Sequence, residues 1–211
     1  VDDPSKLVAR TPDAHRRAGI DLRLRSEVIG IDLDRREVIV WDAEARREYR
    51  EPFDRLVLAT GARPRTLAVP GREAAGIFTL HSLDDALALA AWLQNEHPRQ
   101  AVVVGAGYVG IEVADDFVTR GLPTTVLEAA PHVLTLLDPD MAELVERAMR
   151  DAGIDLRTST PVDGFQTRGG RVVAVDTPHG SVPADVVVIG IGVEPNSELA
   201  GQAGIELGDR N

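Results

Sequence analysis

The residues that can do chemistry gather in one run, Val102-Val103-Val104-Gly105-Ala106-Gly107-Tyr108-Val109-Gly110-Ile111-Glu112. A Gly-x-Gly-x-x-Gly spacing that follows an apolar strand and opens a helical pattern suits the pyrophosphate of a dinucleotide. Each glycine has its own reason. Gly105 permits a tight strand-to-helix turn. Gly107 lacks the Cβ that would meet a pyrophosphate. Gly110 lets the helix lie close on the strand. Ala106, Tyr108 and Val109 complete the turn, whose free N–H groups and positive helix dipole end face the phosphates. The next strand ends on Glu128, eighteen residues past Gly110. A carboxylate there accepts hydrogen bonds from the adenine-side ribose hydroxyls. It would repel a 2′-phosphate at about 4 Å by roughly 1–4 kcal/mol, depending on the local dielectric. No Arg or Lys lies between Arg120 and Arg147 to reverse that, and His132 is the one candidate cation there. NAD(H) is therefore expected over NADP(H).

These residues need a sheet to stand on. Thr11-Pro12-Asp13 starts a short helix that runs to about Arg17 and stops at Gly19. Ile20-Asp21-Leu22-Arg23-Leu24-Arg25 alternates as a half-buried strand does. Residues 28–33, 37–41 and 47–50 read as three strands of a meander, turning first at Asp34-Arg35-Arg36. Residues 53–59 end in Leu56-Val57-Leu58-Ala59, which is expected as a strand buried on both faces. Pro64, Pro70, Gly71 and Gly76 mark 62–76 as a crossing segment. Ser82 caps a helix over 83–95, with Leu83, Leu87, Ala90, Ala91 and Leu93 on its apolar side. A βαβα pattern follows: strand 101–104, helix 108–120, strand 124–127, helix 141–151, strand 154–157. Residues 162–166, 171–175 and a strand near Val182 make a small antiparallel excursion before a buried strand at 185–189.

Two further runs share one form: an acid, an apolar strand, then a glycine-led turn. They are Asp54-Arg55-Leu56-Val57-Leu58-Ala59-Thr60-Gly61 and Asp185-Val186-Val187-Val188-Ile189-Gly190-Ile191-Gly192-Val193-Glu194-Pro195-Asn196. Composition excludes other chemistry. The 211 residues hold 23 basic and 34 acidic side chains, for a net charge of −11, which disfavours binding to a nucleic-acid backbone. There is no cysteine, so thiol catalysis and thiolate metal sites are excluded within these residues. The five histidines show no metal-ligand spacing, and no serine sits in a hydrolase elbow. Lys6 is the single lysine. No apolar run approaches the length of a membrane span, and the cytoplasm is the expected location.

In this order and spacing the motifs resemble the flavin-dependent pyridine nucleotide–disulfide oxidoreductases, and among them the CoA-disulfide reductase, NADH oxidase and NADH peroxidase group. Arg10-Thr11-Pro12, residues 19–25, Ala59-Thr60-Gly61, the 105–112 run, Leu137-Asp138-Pro139-Asp140-Met141 and Gly192-Val193-Glu194-Pro195-Asn196 carry the likeness. The resemblance implies an α/β fold: a Rossmann-like NAD-binding domain with a parallel sheet and a small antiparallel excursion, preceded by a partial β-rich FAD-domain segment. Residues 1–76 would be the end of the first FAD-domain segment, 77–195 the NAD(H) domain, and 196–211 the start of the return. The resemblance places Ala59, Thr60 and Gly61 by FAD, and Gly105, Ala106, Gly107, Val109 and Gly110 around the NAD pyrophosphate. It makes Tyr108 the gate between nicotinamide and flavin, puts Glu112 near the flavin, and sets Gly192 at the nicotinamide pocket.

The resemblance also implies a parent enzyme that passes hydride from NADH to FAD. Electrons then reach a disulfide, CoA disulfide, polysulfide, oxygen or peroxide, and the family is expected as a homodimer. Three family features are absent from the sequence: the first glycine fingerprint, the redox cysteine after it, and the lysine that partners Glu112. The chain is therefore expected to be a piece of the family chain and inactive alone, with no catalytic residue of its own. Two other readings stand beside this one: a cysteine-free ferredoxin or rubredoxin reductase, and a non-catalytic NADH-sensing module. Arg10, Arg16 and Arg17 read as solvated helix charges, with a phosphate mouth for coenzyme A as the other reading.

Overall fold

The computed structural model describes residues 8–208. Lys6 and the outer ends of the first and last expected segments lie outside the described residues. The described residues form two compact units, one from residues 8–62 and 195–208, the other from 63–194.

The second unit is built on five strands: β5 (Ile77–Thr79), β6 (Ala101–Val104), β7 (Thr124–Leu127), β8 (Asp155–Arg157) and β12 (Val186–Ile189). All pair in parallel, in the order β5-β12-β6-β7-β8. Helices α2 (Leu83–Glu96), α3 (Tyr108–Thr119) and α4 (Pro139–Asp151) cross between them. Alternation splits each strand between two cores. Ala101, Val103, Val126, Val186 and Val188 meet Leu89, Val113, Phe117 and Met149 from the helices. Val102, Val104, Leu127, Val187 and Ile189 meet Phe165, Val172, Val175 and Val182. The latter belong to a second sheet of β9 (Gly164–Arg168), β10 (Arg171–Thr177) and β11 (Gly180–Pro183). The antiparallel excursion is thus a covering layer, and it is why β6 and β12 are apolar at every position. The expected strand at 162–166 begins later, at Gly164.

Helix α2 corrects the expected apolar stripe. Leu89 is buried and Leu93 half-buried, whereas Leu83, Leu87, Ala90 and Ala91 are exposed. The core face runs through Ala86, Leu89 and Leu93 because β5, absent from the sequence reading, brings Phe78 against Trp92 in an edge-on ring contact of 5.7 Å. The boundary between units falls after Ala62, earlier than the expected 76/77 break. Residues between them pack on β9: the Phe165 N–H donates to the Pro70 carbonyl at 2.9 Å. The short strands β4 (Ala62–Pro64) and β13 (Val193–Pro195) pair with one another.

The first unit holds α1 (Pro12–Arg17), capped by Thr11, and an antiparallel meander of β1 (Ser26–Asp32), β2 (Glu37–Asp42) and β3 (Arg47–Pro52). Helix α5 (Glu198–Gln202) lies against β1. Two expected strands are not strands. Residues 20–25 are irregular. Arg25 turns the chain at φ 52°, and Arg23 donates to Asp21 Oδ2 and Glu51 Oε2, each at 2.7 Å. The alternating charges there make ion pairs, not a ladder. Residues 56–59 are irregular and open, with Val57 85% exposed. A strand buried on both faces needs partners at both edges, and no described strand pairs with this run. Among the described residues no helix is long and apolar enough to cross a membrane.

Helix α2 carries a pH-sensitive cap. Asp85 Oδ2 accepts the N–H groups of His81 (3.0 Å) and Ser82 (2.9 Å), while Ser82 Oγ accepts from the Asp85 N–H. Burial works against the Asp85 charge, but the backbone donors of Ser82 and His81 and the Ser82 hydroxyl overcome it and hold the carboxyl below its ordinary range. A lowered folded-state value means stability present above the unfolded value, near 4, and lost as pH falls through the folded one. Asp85→Ala should cost about 1 kcal/mol at pH 7. In urea titrations that gap should close below about pH 4. A gap unchanged at pH 3 contradicts the assignment.

Candidate functional site

Strand β6 ends in a turn that only glycine can make. Gly105 has φ 100°, and a Cβ on it would stand 2.6 Å from the Gly190 carbonyl oxygen. A Cβ on Gly110 would run into the carbonyl oxygen of Gly105. A Cβ on Gly190 would lie 3.4 Å from the Gly110 nitrogen. Strand β6, the end of β12 and the first turn of α3 therefore meet backbone to backbone. Gly190 is part of this contact and was missed in the sequence; the glycine pair at 190 and 192 after an apolar strand was its signal.

Gly107 differs from its neighbours. It is the N-cap of α3 with φ −81°, an ordinary value, and a Cβ there would meet nothing within 4 Å. Neither backbone strain nor packing requires glycine at this position. The space in front of it is open, and it supplies no side chain to cap the helix. No acid stands in the first turn of α3. The helix start therefore presents uncapped N–H groups and a positive dipole end across a gap without a Cβ, which fits a phosphate group.

Glu128 stands where β7 ends. Its Oε2 accepts the Ala106 N–H at 2.7 Å and its Oε1 the Ala130 N–H at 2.8 Å. Ala106 is fully buried, and its carbonyl accepts the Leu134 N–H at 3.0 Å. Leu134, at φ 46°, has no local pattern around it that marks this contact. Tyr108 and Val109 open α3 on the outside, with Tyr108 66% exposed, and Glu112 one turn later is also exposed. Gly192, at φ 90°, follows β12, and its carbonyl accepts the Arg65 N–H at 3.0 Å. The structure thus brings together Gly105, Ala106, Gly107, Gly110 and Glu128 of the expected residues.

Ala59, Thr60 and Gly61 belong to the first unit and are exposed. The Thr60 hydroxyl donates to the Asn196 carbonyl at 2.6 Å, and Asn196 Nδ2 donates to the Thr60 carbonyl at 2.9 Å. The Asn196 N–H donates to the Gly61 carbonyl at 3.0 Å. Three hydrogen bonds so join the outgoing and returning segments of that unit. Arg10 and Arg17 are exposed, and Arg16 pairs with Asp13 at 2.8 Å. Arg16 also lines an open recess of about 600 Å³ in which Arg23 and Arg47 face Asp42, Glu44 and Glu51. Acids there equal bases, so the recess carries no net preference for an anion.

Comparison with known proteins adds an independent line. The model of the pyridine nucleotide-disulphide oxidoreductase family matches residues 3–211. The chain is 38% identical over 208 residues to putidaredoxin reductase CamA of Pseudomonas putida, covering 95% of this chain and 48% of that protein. It is 33% identical over 204 residues to an NADH oxidase of Methanocaldococcus jannaschii, covering 96% and 45%. The crystal structure of reduced Bacillus anthracis CoADR-RHD superposes with a TM-score of 0.92 at 30% identity, over 100% of this chain and 38% of that one. The chain spans about half the length of the curated relatives it matches.

The glycines make opposite predictions for folding. Gly110→Ala drives a Cβ into backbone and should cost at least about 2 kcal/mol. Gly107→Ala should stay within about 1 kcal/mol of the parent, the range of an N-cap change. Thermal melts of the two variants check this, and equal losses would contradict the geometry.

Proposed function

The chain belongs to the pyridine nucleotide-disulphide oxidoreductase family, and from that premise we propose that its second unit binds NAD(H) across the end of β6. The observation that supports this best is Gly107, a glycine that the fold itself does not need, at the mouth of an uncapped helix. In this reading the α3 N-terminus holds the pyrophosphate. Glu128 accepts the adenine-side ribose hydroxyls with the lone pairs its two backbone donors leave free. The same carboxylate opposes a 2′-phosphate, which favours NAD(H) over NADP(H). Tyr108 covers the nicotinamide end, and Gly192 borders it.

The residues of the first unit fit FAD only as one exposed edge, made by Ala59, Thr60 and Gly61 at the end of the open 56–59 run. Bound there in the whole protein, FAD would supply a hydride acceptor. This chain's part is to bind and orient the nicotinamide for that transfer. The parent reaction would be NADH-dependent reduction of a disulfide, CoA disulfide, polysulfide, oxygen or peroxide by a homodimeric cytoplasmic enzyme. A second reading, reduction of a small iron–sulfur or rubredoxin-type protein, is favoured by the identity to putidaredoxin reductase. A cysteine close behind an upstream glycine fingerprint in the natural protein separates the two.

Calorimetric titration tests the core of this. NADH should bind the chain, and NADPH at least about fivefold more weakly, the factor given by the smallest repulsion, near 1 kcal/mol. Gly107→Val should weaken NADH at least tenfold, about 1.4 kcal/mol, while keeping the fold. Absence of NADH binding would overturn the proposal, and equal affinity for NADPH would overturn the preference. NADH-dependent reduction by the isolated chain would contradict its expected inactivity.

A further inference from the structure

We infer that Glu128 is a positioning residue for the glycine turn as well as a reader of the ribose: its carboxylate is the peg that fixes Ala106, and through it the phosphate-facing backbone. The inference rests on the dinucleotide reading above and deepens it.

The turn has no polar side chain of its own to hold it. Gly105 and Gly107 have no side chains, and Ala106 between them is fully buried. Its N–H must find an acceptor inside the protein. No backbone carbonyl supplies one; the acceptor is Glu128 Oε2 at 2.7 Å. On either side of this bond the backbone is tied by the Gly105 N–H to the Leu127 carbonyl at 2.8 Å and by the Leu134 N–H to the Ala106 carbonyl at 3.0 Å. The other carboxylate oxygen takes the Ala130 N–H at 2.8 Å and so holds the start of the 129–137 loop that reaches back to Ala106. Glu128 itself is fixed by backbone on both sides: its N–H donates to the Arg157 carbonyl at 2.9 Å, and its carbonyl accepts the Thr160 N–H at 2.8 Å. Bonds from N–H to a carboxylate are stronger than those to a neutral acceptor.

Geometry explains why a glutamate serves here. One oxygen reaches Ala106 and the other Ala130, two donors on different segments. An aspartate, shorter by one methylene, would not span both from the same backbone. An amide would place its own NH2 against one of the two N–H groups. Two oxygens with about four lone-pair sites still leave acceptors for a ligand. The group that reads the ribose therefore does not have to release the loop in order to do so.

The test separates reading from positioning with a ligand that offers nothing to read. ADP and 2′,3′-dideoxy-ADP are titrated into the parent chain, Glu128→Gln and Glu128→Asp. If Glu128 only reads ribose hydroxyls, the variants bind dideoxy-ADP as the parent does, and the inference is overturned. A peg for the turn instead requires both variants to lose dideoxy-ADP affinity about three- to tenfold, the scale of one hydrogen bond. Amide hydrogen exchange on the ligand-free chains gives a readout that needs no nucleotide. The Ala106 and Ala130 N–H groups should exchange at least about tenfold faster in Glu128→Ala, with Val103 and Val104 unchanged. Unchanged protection at Ala106 would overturn the peg. If the parent binds no nucleotide, the dinucleotide reading falls, and the exchange result alone decides the peg.

Discussion

At the end of β6 three stretches of backbone meet, two of them with no room for a side chain. Gly105, Gly110 and Gly190 meet there, the first two with no room for a Cβ and the third with room only for van der Waals contact. This contact fixes where α3 starts and where it points. It lets Val113, Ala114 and Phe117 settle on Ala101, Val103, Val126, Val186 and Val188 of the strands, in the larger of the two buried clusters. It also aims the helix N-terminus over the carboxyl ends of parallel strands, where open α/β sheets take their ligands. A side chain at Gly105 or Gly110 would move the helix and the site together.

The second dependence is electrostatic. The helix start is positive and uncapped, and the acid that bonds the turn, Glu128, is turned onto backbone N–H groups. An anion at the helix start would then face dipoles and not a loose carboxylate. The rest of the unit supplies rigidity. Central strands covered by helices on one face and by the β9–β11 sheet on the other leave the turn no soft neighbour.

The glycine fingerprint, its strand, its helix and the acid on the next strand were legible because each follows from local physics. A tight turn needs glycine, and a strand buried on both faces needs an unbroken apolar run. The meander was legible by its alternation. What failed depended on partners. Residues 56–59 have the composition of a buried strand, and composition says what a segment is suited to, not whether a neighbour is present. Residues 20–25 alternate because Arg23 is clamped between Asp21 and Glu51. In α2 two apolar stripes compete, and β5, three residues with no periodicity to show, chooses between them. The bond from Ala106 to Glu128 could not be read either, since it joins residues 22 apart through a fold that must first exist. The resemblance divides its site residues between a flavin segment and an NAD domain, and the structure puts residues 59–61 in the first unit and Gly105, Gly107, Gly110 and Glu128 in the second.

The most direct measurement is a backbone amide NMR titration of the labelled chain with NADH. Saturable shifts should appear first at residues 105–110 and at Glu128 and Ala130, with amides of the β1–β3 meander unmoved. No saturable shift, or shifts confined to the meander, would contradict a dinucleotide site at the end of β6.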